Sequence, residues 1–188
     1  MENAPQGYGD FGRPLAFIPF RQDDAADRVF REVSRRLVAH GLRVEGLLQH
    51  AQKDEGQCCG AVDVQDIATG RSWQIMQALG PNARGCRLDF SVLSEVAVFA
   101  EGRLRTRPDI VLLSRFGKAE AGGGGLRSVF EAAFLAGVPM LTSVKEAYLD
   151  DWYAFAGELS QPLPAEIDAV LDWSLTVIGR AERDENAA

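Results

Sequence analysis

The sequence predicts a three-layer α/β fold, a mainly parallel sheet with an inserted β-hairpin, and three observations predict it. Short apolar runs alternate with segments of helical periodicity along the 188 residues, the pattern of strand–helix–strand units. Ile110–Ser114 is apolar without alternation, as a central strand covered on both faces requires. Between the second and third apolar runs, residues 61–77 alternate strictly around Thr69-Gly70, which marks a hairpin.

In chain order, Leu15–Phe20 is suited to a strand, and Pro19, lacking an amide donor, is expected to end its hydrogen bonding. Asp23 or Asp24 can cap the following helix. Ala26, Val29, Phe30, Val33 and Leu37 form its buried face, and Gly41 stops it. Leu42–Gln49 reads as the second strand, with a right-handed crossover from the first. Ala61–Ile67 and Ser72–Gln77 pair as the hairpin, with a third short strand near Arg84–Phe90. Ser91 opens a helix with Val92, Leu93, Val96, Phe99 and Ala100 on its apolar side. After Ile110–Ser114 comes a glycine-rich loop, then a helix over Leu126–Ala136 and a strand over Gly137–Val144. Two further helices close the chain. The last carries Pro164 near its first turn, with Ile167, Val170, Leu171, Ser174, Val177 and Ile178 on one face.

Composition is that of one globular domain: 46% hydrophobic, 25% charged, net charge −7. The expected organisation is a flexible start (1–13), one α/β domain (14–181) and an acidic flexible tail (182–188). A chain of this length buries about 70% of its unfolded surface and needs no metal or disulfide to fold. The acidic balance argues against nucleic acid as a partner. No apolar run reaches the roughly 18–20 residues of a membrane span, and the polar, glycine-rich start lacks the features of a signal peptide. Three cysteines without a pairing framework point to the cytoplasm. Charge is uneven: Glu146–Ala188 carries ten acids against two bases, whereas Arg84–Arg127 holds eight bases and five acids. That locally positive middle suits a small anion, and surface solubility accounts for it equally well.

In open α/β sheets, ligands lie beyond the carboxyl ends of the strands. After Phe20 the chain runs Arg21-Gln-Asp-Asp-Ala-Ala-Asp-Arg28. It has no glycine to let the backbone approach phosphate, no Lys, and three carboxylates, so ordinary P-loop hydrolysis is not expected there. The exit after Ser114 is richer: Arg115-Phe-Gly-Lys-Ala-Glu-Ala-Gly-Gly-Gly-Gly-Leu-Arg127. Amides of Gly117 and Gly122, Gly123, Gly124 and Gly125 can converge as an anion nest, flanked by Arg115, Lys118 and Arg127. The plain alternative is a connector whose glycines permit the turn. Glu120 can orient Lys118, ligate a cation beside the anion, or stand as a solvated carboxylate.

Gly85-Cys-Arg-Leu-Asp89 places Arg87 to grip an anion and Asp89 to orient it or bind Mg2+. A structural Arg–Asp pair explains the same residues. Cys86, beside Leu88, reads as a small buried hydrophobe before it reads as a nucleophile or ligand. A zinc site from His50, Cys58, Cys59 and Cys86 is a weaker idea, because the adjacent cysteines lack ligand spacing. Trp73, Trp152 and Trp173 are assigned to packing.

Taken in order, Gly46-Leu-Leu-Gln49, Asp66-Ile-Ala-Thr-Gly70, Gly85-Cys-Arg-Leu-Asp89, Phe116-Gly-Lys-Ala-Glu120 and Gly137-Val-Pro-Met-Leu-Thr-Ser-Val144 resemble the bacterial family DUF2478 across nearly the whole chain after Arg13. The resemblance implies an oxyanion-related accessory role beside molybdate transport, with molybdate and a molybdate-transport-related protein as candidate partners. This chain departs from that pattern at Gly122 and Gly124, where an acid and an arginine are expected. The order of parts is also similar to small P-loop nucleoside-triphosphatases. There an acidic pair stands where Ser114 and Arg115 stand here, while Glu120 keeps its register. That resemblance implies a P-loop-NTPase-like architecture with a retained pocket and altered chemistry.

The leading expectation is therefore a cytoplasmic, non-hydrolysing protein that binds a nucleotide or an oxyanion such as molybdate. Its site comprises Arg115, Gly117, Lys118, Glu120, Gly122–Gly125 and Arg127, assisted by Arg87 and Gln49. Two alternatives stand beside it. One is Mg2+-dependent nucleoside phosphate hydrolysis by Lys118, Glu120 and Asp89. The other is an adaptor or regulator that binds protein through its acidic C-terminal half. Assembly as a homo-oligomer is left open.

Overall fold

A computed structural model describes residues 13–21, 23–51, 62–78 and 86–185. The elements are β1 (Leu15–Phe20), α1 (Asp23–Ala39), β2 (Val44–Ala51), β3 (Val62–Asp66), β4 (Ser72–Gln74), β5 (Met76–Ala78), β6 (Cys86–Leu88), α2 (Phe90–Arg103), β7 (Ile110–Phe116), α3 (Lys118–Ala121), α4 (Arg127–Leu135), β8 (Met140–Lys145), α5 (Leu149–Ala156), β9 (Ser160–Pro162) and α6 (Ile167–Glu185).

Seven strands form one sheet in the order β4-β3-β2-β7-β8-β1-β9. The five from β2 to β9 are parallel, and β3 and β4 add an antiparallel edge beside β2. The expected mixed, mainly parallel sheet is present. Each face is covered by helices. On one face, α1 and α6 bury Val29, Phe30, Val33, Leu37, Val170 and Trp173 against Ile18, Leu112 and Leu141. On the other, α2, α4 and α5 bury Leu93, Val96, Phe130 and Trp152 against Phe17, Leu113 and Phe116. Each such side chain contributes about 1.5–3 kcal/mol on leaving water. These two cores make the three layers.

The structure redraws several predicted boundaries. Pro19 does not end β1, which stays in register with β8 through Phe20↔Lys145. β9 pairs only with Leu15–Phe17, so the flank at Pro19 has no strand requiring its missing donor. The second strand begins at Val44 and continues to Ala51. The predicted strand Ser72–Gln77 breaks at Ile75: β4 stays in the main sheet, whereas β5 pairs with β6 as a separate ribbon (Met76↔Leu88, Gln77↔Arg87). The second helix starts at Phe90, and its N-cap is Asp89, whose carboxylate accepts from the amides of Ser91 (3.0 Å) and Val92 (3.2 Å). β9 is an unpredicted edge strand ending in Pro162. The last helix runs to Glu185, into the stretch expected as a tail. Residues 1–12 of the expected flexible start and 186–188 of that tail lie outside the described residues. Among the described residues, no helix is long and apolar enough to cross a membrane.

The tryptophans pack as expected. Trp152 is fully buried among Phe17, Phe116, Phe130 and Phe155. The indole N–H of Trp73 donates to Glu95, and that of Trp173 to the carbonyl of Arg13.

Candidate functional site

The chain order makes β1 and β8 neighbours that leave in opposite directions, β1 toward β2 and β8 past β1 to β9. The crevice at such a reversal is where an α/β sheet usually holds a ligand. Here it is bridged by Arg21, just after β1, whose Nε donates to both carboxylate oxygens of Glu146, just after β8, at 2.7 and 2.8 Å. Beside it, Arg115 from β7 reaches Asp27 of α1 at 3.1 Å and lies over the Phe20 ring. Compared with a P-loop site, the charges are exchanged: the cation comes from the strand and the carboxylate from the helix. Arg115 is therefore committed to α1, and an anion would compete with Asp27 for it.

The glycine loop is occupied by its own chain. Glu120 is buried, with its Oε2 accepting from the Gly117 amide and its Oε1 from the Leu126 amide, both at 2.9 Å. The amides of Gly122, Gly123 and Gly124 donate to the carbonyls of Lys118, Glu120 and Ala119. Gly125 has φ +63°, and a Cβ there would lie 2.1 Å from Glu120 Oε1, so this glycine makes room for the carboxylate. Of the amides expected to converge on an outside anion, that of Gly117 is held by Glu120 together with the Leu126 amide, while those of Gly122, Gly123 and Gly124 go to carbonyls of the loop itself. Glu120 is buried, so the reading of it as a solvated carboxylate does not hold.

Beside this plugged loop lies a cavity of about 630 Å3 at the carboxyl ends of β2 and β7. β3, the β5–β6 ribbon and the start of α2 enclose it. Its wall is mostly apolar: Leu47, Val62, Val64, Ile75, Met76, Leu88, Leu93 and Leu126, with Phe90 among the lining residues. Its polar groups are Gln49, Ser114, Arg115, Lys118 and Glu120, with the backbone of Gly117, Gly122 and Gly124. The Gln49 amide N–H donates to Ser114 Oγ at 2.5 Å, which ties β2 to β7 at the cavity floor. Ser143 Oγ in turn donates to the Ser114 carbonyl. Lys118 is exposed and makes no ion pair with a described residue.

The structure thus brings Gln49, Arg115, Gly117, Lys118, Glu120, Gly122 and Gly124 to one cavity, and leaves Arg127 out of it. Arg127 donates to Glu131 one turn along α4 and lies 4.6 Å from the centre of the Phe155 ring, so packing between α4 and α5 holds it. Asp89, offered as a magnesium ligand, caps α2. Arg87 and Cys86 lie in β6 by their backbone; Cys58, Cys59 and Gly85 lie outside the described residues. Among the described residues, no group of three or more His, Cys, Asp or Glu is brought together for a metal. Sequence reasoning missed the apolar wall and Phe90. Val62, Val64 and Ile75 share one face of the hairpin, a signal identical to that of ordinary core.

Comparison with known proteins places this geometry. A family model described as "Protein of unknown function (DUF2478)" matches residues 15–173. The chain is 31% identical over 169 residues to Molybdenum import ATP-binding protein ModC 2 of Bradyrhizobium diazoefficiens, a match spanning 90% of this chain but 19% of that protein. Among solved structures, THEP1 from the hyperthermophile Aquifex aeolicus superposes with a TM-score of 0.60 at 11% identity, covering 84% of this chain and 94% of THEP1. That likeness bears out the α/β, P-loop-NTPase-like fold.

Proposed function

Since the chain belongs to the DUF2478 family, and its fold is that of P-loop proteins with the phosphate turn altered, we propose that it binds an anionic small molecule of the nucleotide class without hydrolysing it. The observation that carries this reading is the 630 Å3 cavity at the carboxyl ends of β2 and β7, with Lys118 beside it. The volume falls in the ordinary range of ligand pockets, about 300–1,000 Å3. A five-atom oxyanion such as molybdate would leave most of it empty, which favours the nucleotide over the bare oxyanion. The likeness to a molybdenum import ATP-binding protein supports an accessory role beside molybdate uptake, which we place in the cytoplasm.

Three features favour binding over hydrolysis. The turn after β1 offers no lysine, and its Arg21 is held by Glu146. Arg115 fills the strand position where an acidic group would hold magnesium. Glu120, the remaining candidate base, already accepts a main-chain hydrogen bond on each oxygen. A general base must reach the proton it removes. Titration calorimetry of the full chain with AMP, GMP, ATP, GTP, phosphate and molybdate tests the reading. Nucleotide binding without phosphate release is expected; no heat with any of them, or magnesium-dependent release of phosphate, would overturn it.

A further inference from the structure

The cavity's charge and lining narrow its occupant further, and this step rests on the binding reading above. We infer that the ligand is a purine nucleoside monophosphate, with a flat heteroaromatic ring in the apolar part and one phosphate at Lys118. Four observations point there. Leu47, Val64, Ile75, Met76 and Leu88 give the cavity an apolar lining suited to a flat ring. Phe90, among the lining residues, is 59% exposed although it opens a helix packed on the core. An aromatic side chain left in water beside an apolar cavity is a stacking platform, sequence-tolerant because every base has a π face.

The side-chain amide of Gln49, half-buried in the lining, makes no hydrogen bond with a described residue. It offers the paired donor and acceptor that match the edge of a purine. Charge sets the phosphate number. Arg115 is engaged with Asp27, and the Glu120 carboxylate lies in the same lining. Among the described side chains of the lining, Lys118 is then the cation left for the ligand. A triphosphate would bring about four negative charges to one ammonium and a buried carboxylate. A single phosphate brings about two, and so leaves less charge unopposed.

Calorimetry with AMP, GMP, adenosine, guanosine, ATP, GTP and inorganic phosphate separates the outcomes. One of the monophosphates is expected to bind at least tenfold more tightly than its nucleoside and than its triphosphate. Phe90→Ala, at an exposed position where folding is checked by circular dichroism, is expected to weaken nucleoside and monophosphate alike by about tenfold. Lys118→Ala is expected to weaken the monophosphate and leave the nucleoside unchanged. Triphosphates binding as tightly as monophosphates, or Phe90→Ala binding like wild type, would overturn the inference and leave the broader reading standing. Silence toward every probe would overturn both.

Discussion

One carboxylate decides what the glycine loop can do. Glu120 takes the amide of Gly117, which the sequence offers to an outside anion, together with that of Leu126, because a side chain already tethered in the loop outcompetes a ligand that must lose translational freedom. A glutamine has one acceptor oxygen where Glu120 uses two, so Glu120→Gln is expected to leave one buried amide unpaired and cost about 1–3 kcal/mol in urea denaturation. Gly46 is a second such residue. Its φ is +138°, and a Cβ would lie 1.9 Å from the Leu112 carbonyl oxygen on the neighbouring strand, so Gly46→Ala has no space to relax into. Loss of soluble, folded protein is the expected result, measured by circular dichroism after purification. The sequence shows Gly46 and Glu120, but their roles depend on atoms three to sixty-six positions away.

Between elements, a buried ion pair joins β2 to α2. Glu45 is buried, and the guanidinium of Arg103 holds both its oxygens at 2.6 and 2.9 Å, which raises the arginine above its usual pKa; Thr106 Oγ1 adds a third hydrogen bond. Arg103→Ala would strand that carboxylate, at a cost of about 3 kcal/mol in urea denaturation. Within α1, side-chain hydrogen bonds from Arg35 and Arg36 hold the Glu32 carboxyl at about 2, below its usual 4.5. A lowered folded-state value stabilises the protein above pH 4.5, and that contribution is lost as pH falls from 4.5 toward 2. The stability gap between wild type and Glu32→Gln is therefore expected to close over that interval, followed by urea denaturation at stepped pH. The hairpin shows what alternation can and cannot say. It predicted β3 and β4, yet the same period runs on through Ile75, where the chain leaves the sheet to form the β5–β6 wall of the cavity. Period-2 spacing fixes the face a residue takes, not the partner strand it meets.

For the whole molecule, a ligand that binds only the folded chain stabilises it by mass action. AMP or GMP at about one hundred times its dissociation constant should add about 2.7 kcal/mol, or roughly 5–10 °C in thermal midpoint for a chain of this size. Scanning calorimetry at increasing nucleotide reads that shift. The sequence by itself determined the layered architecture, because hydrophobic period and strand–helix alternation are local and cumulative. The apolar faces of α1, α2, α4 and α6 lie as their spacing requires, and the central strand is β7, flanked by parallel β2 and β8. Only the tertiary structure decided where charge is spent. Arg115 with Asp27, Arg21 with Glu146 and Glu120 with its own loop are pairings between residues that carry no mutual mark in the chain. Electrostatic partners are chosen by proximity after folding, and that choice left Lys118 beside an apolar cavity.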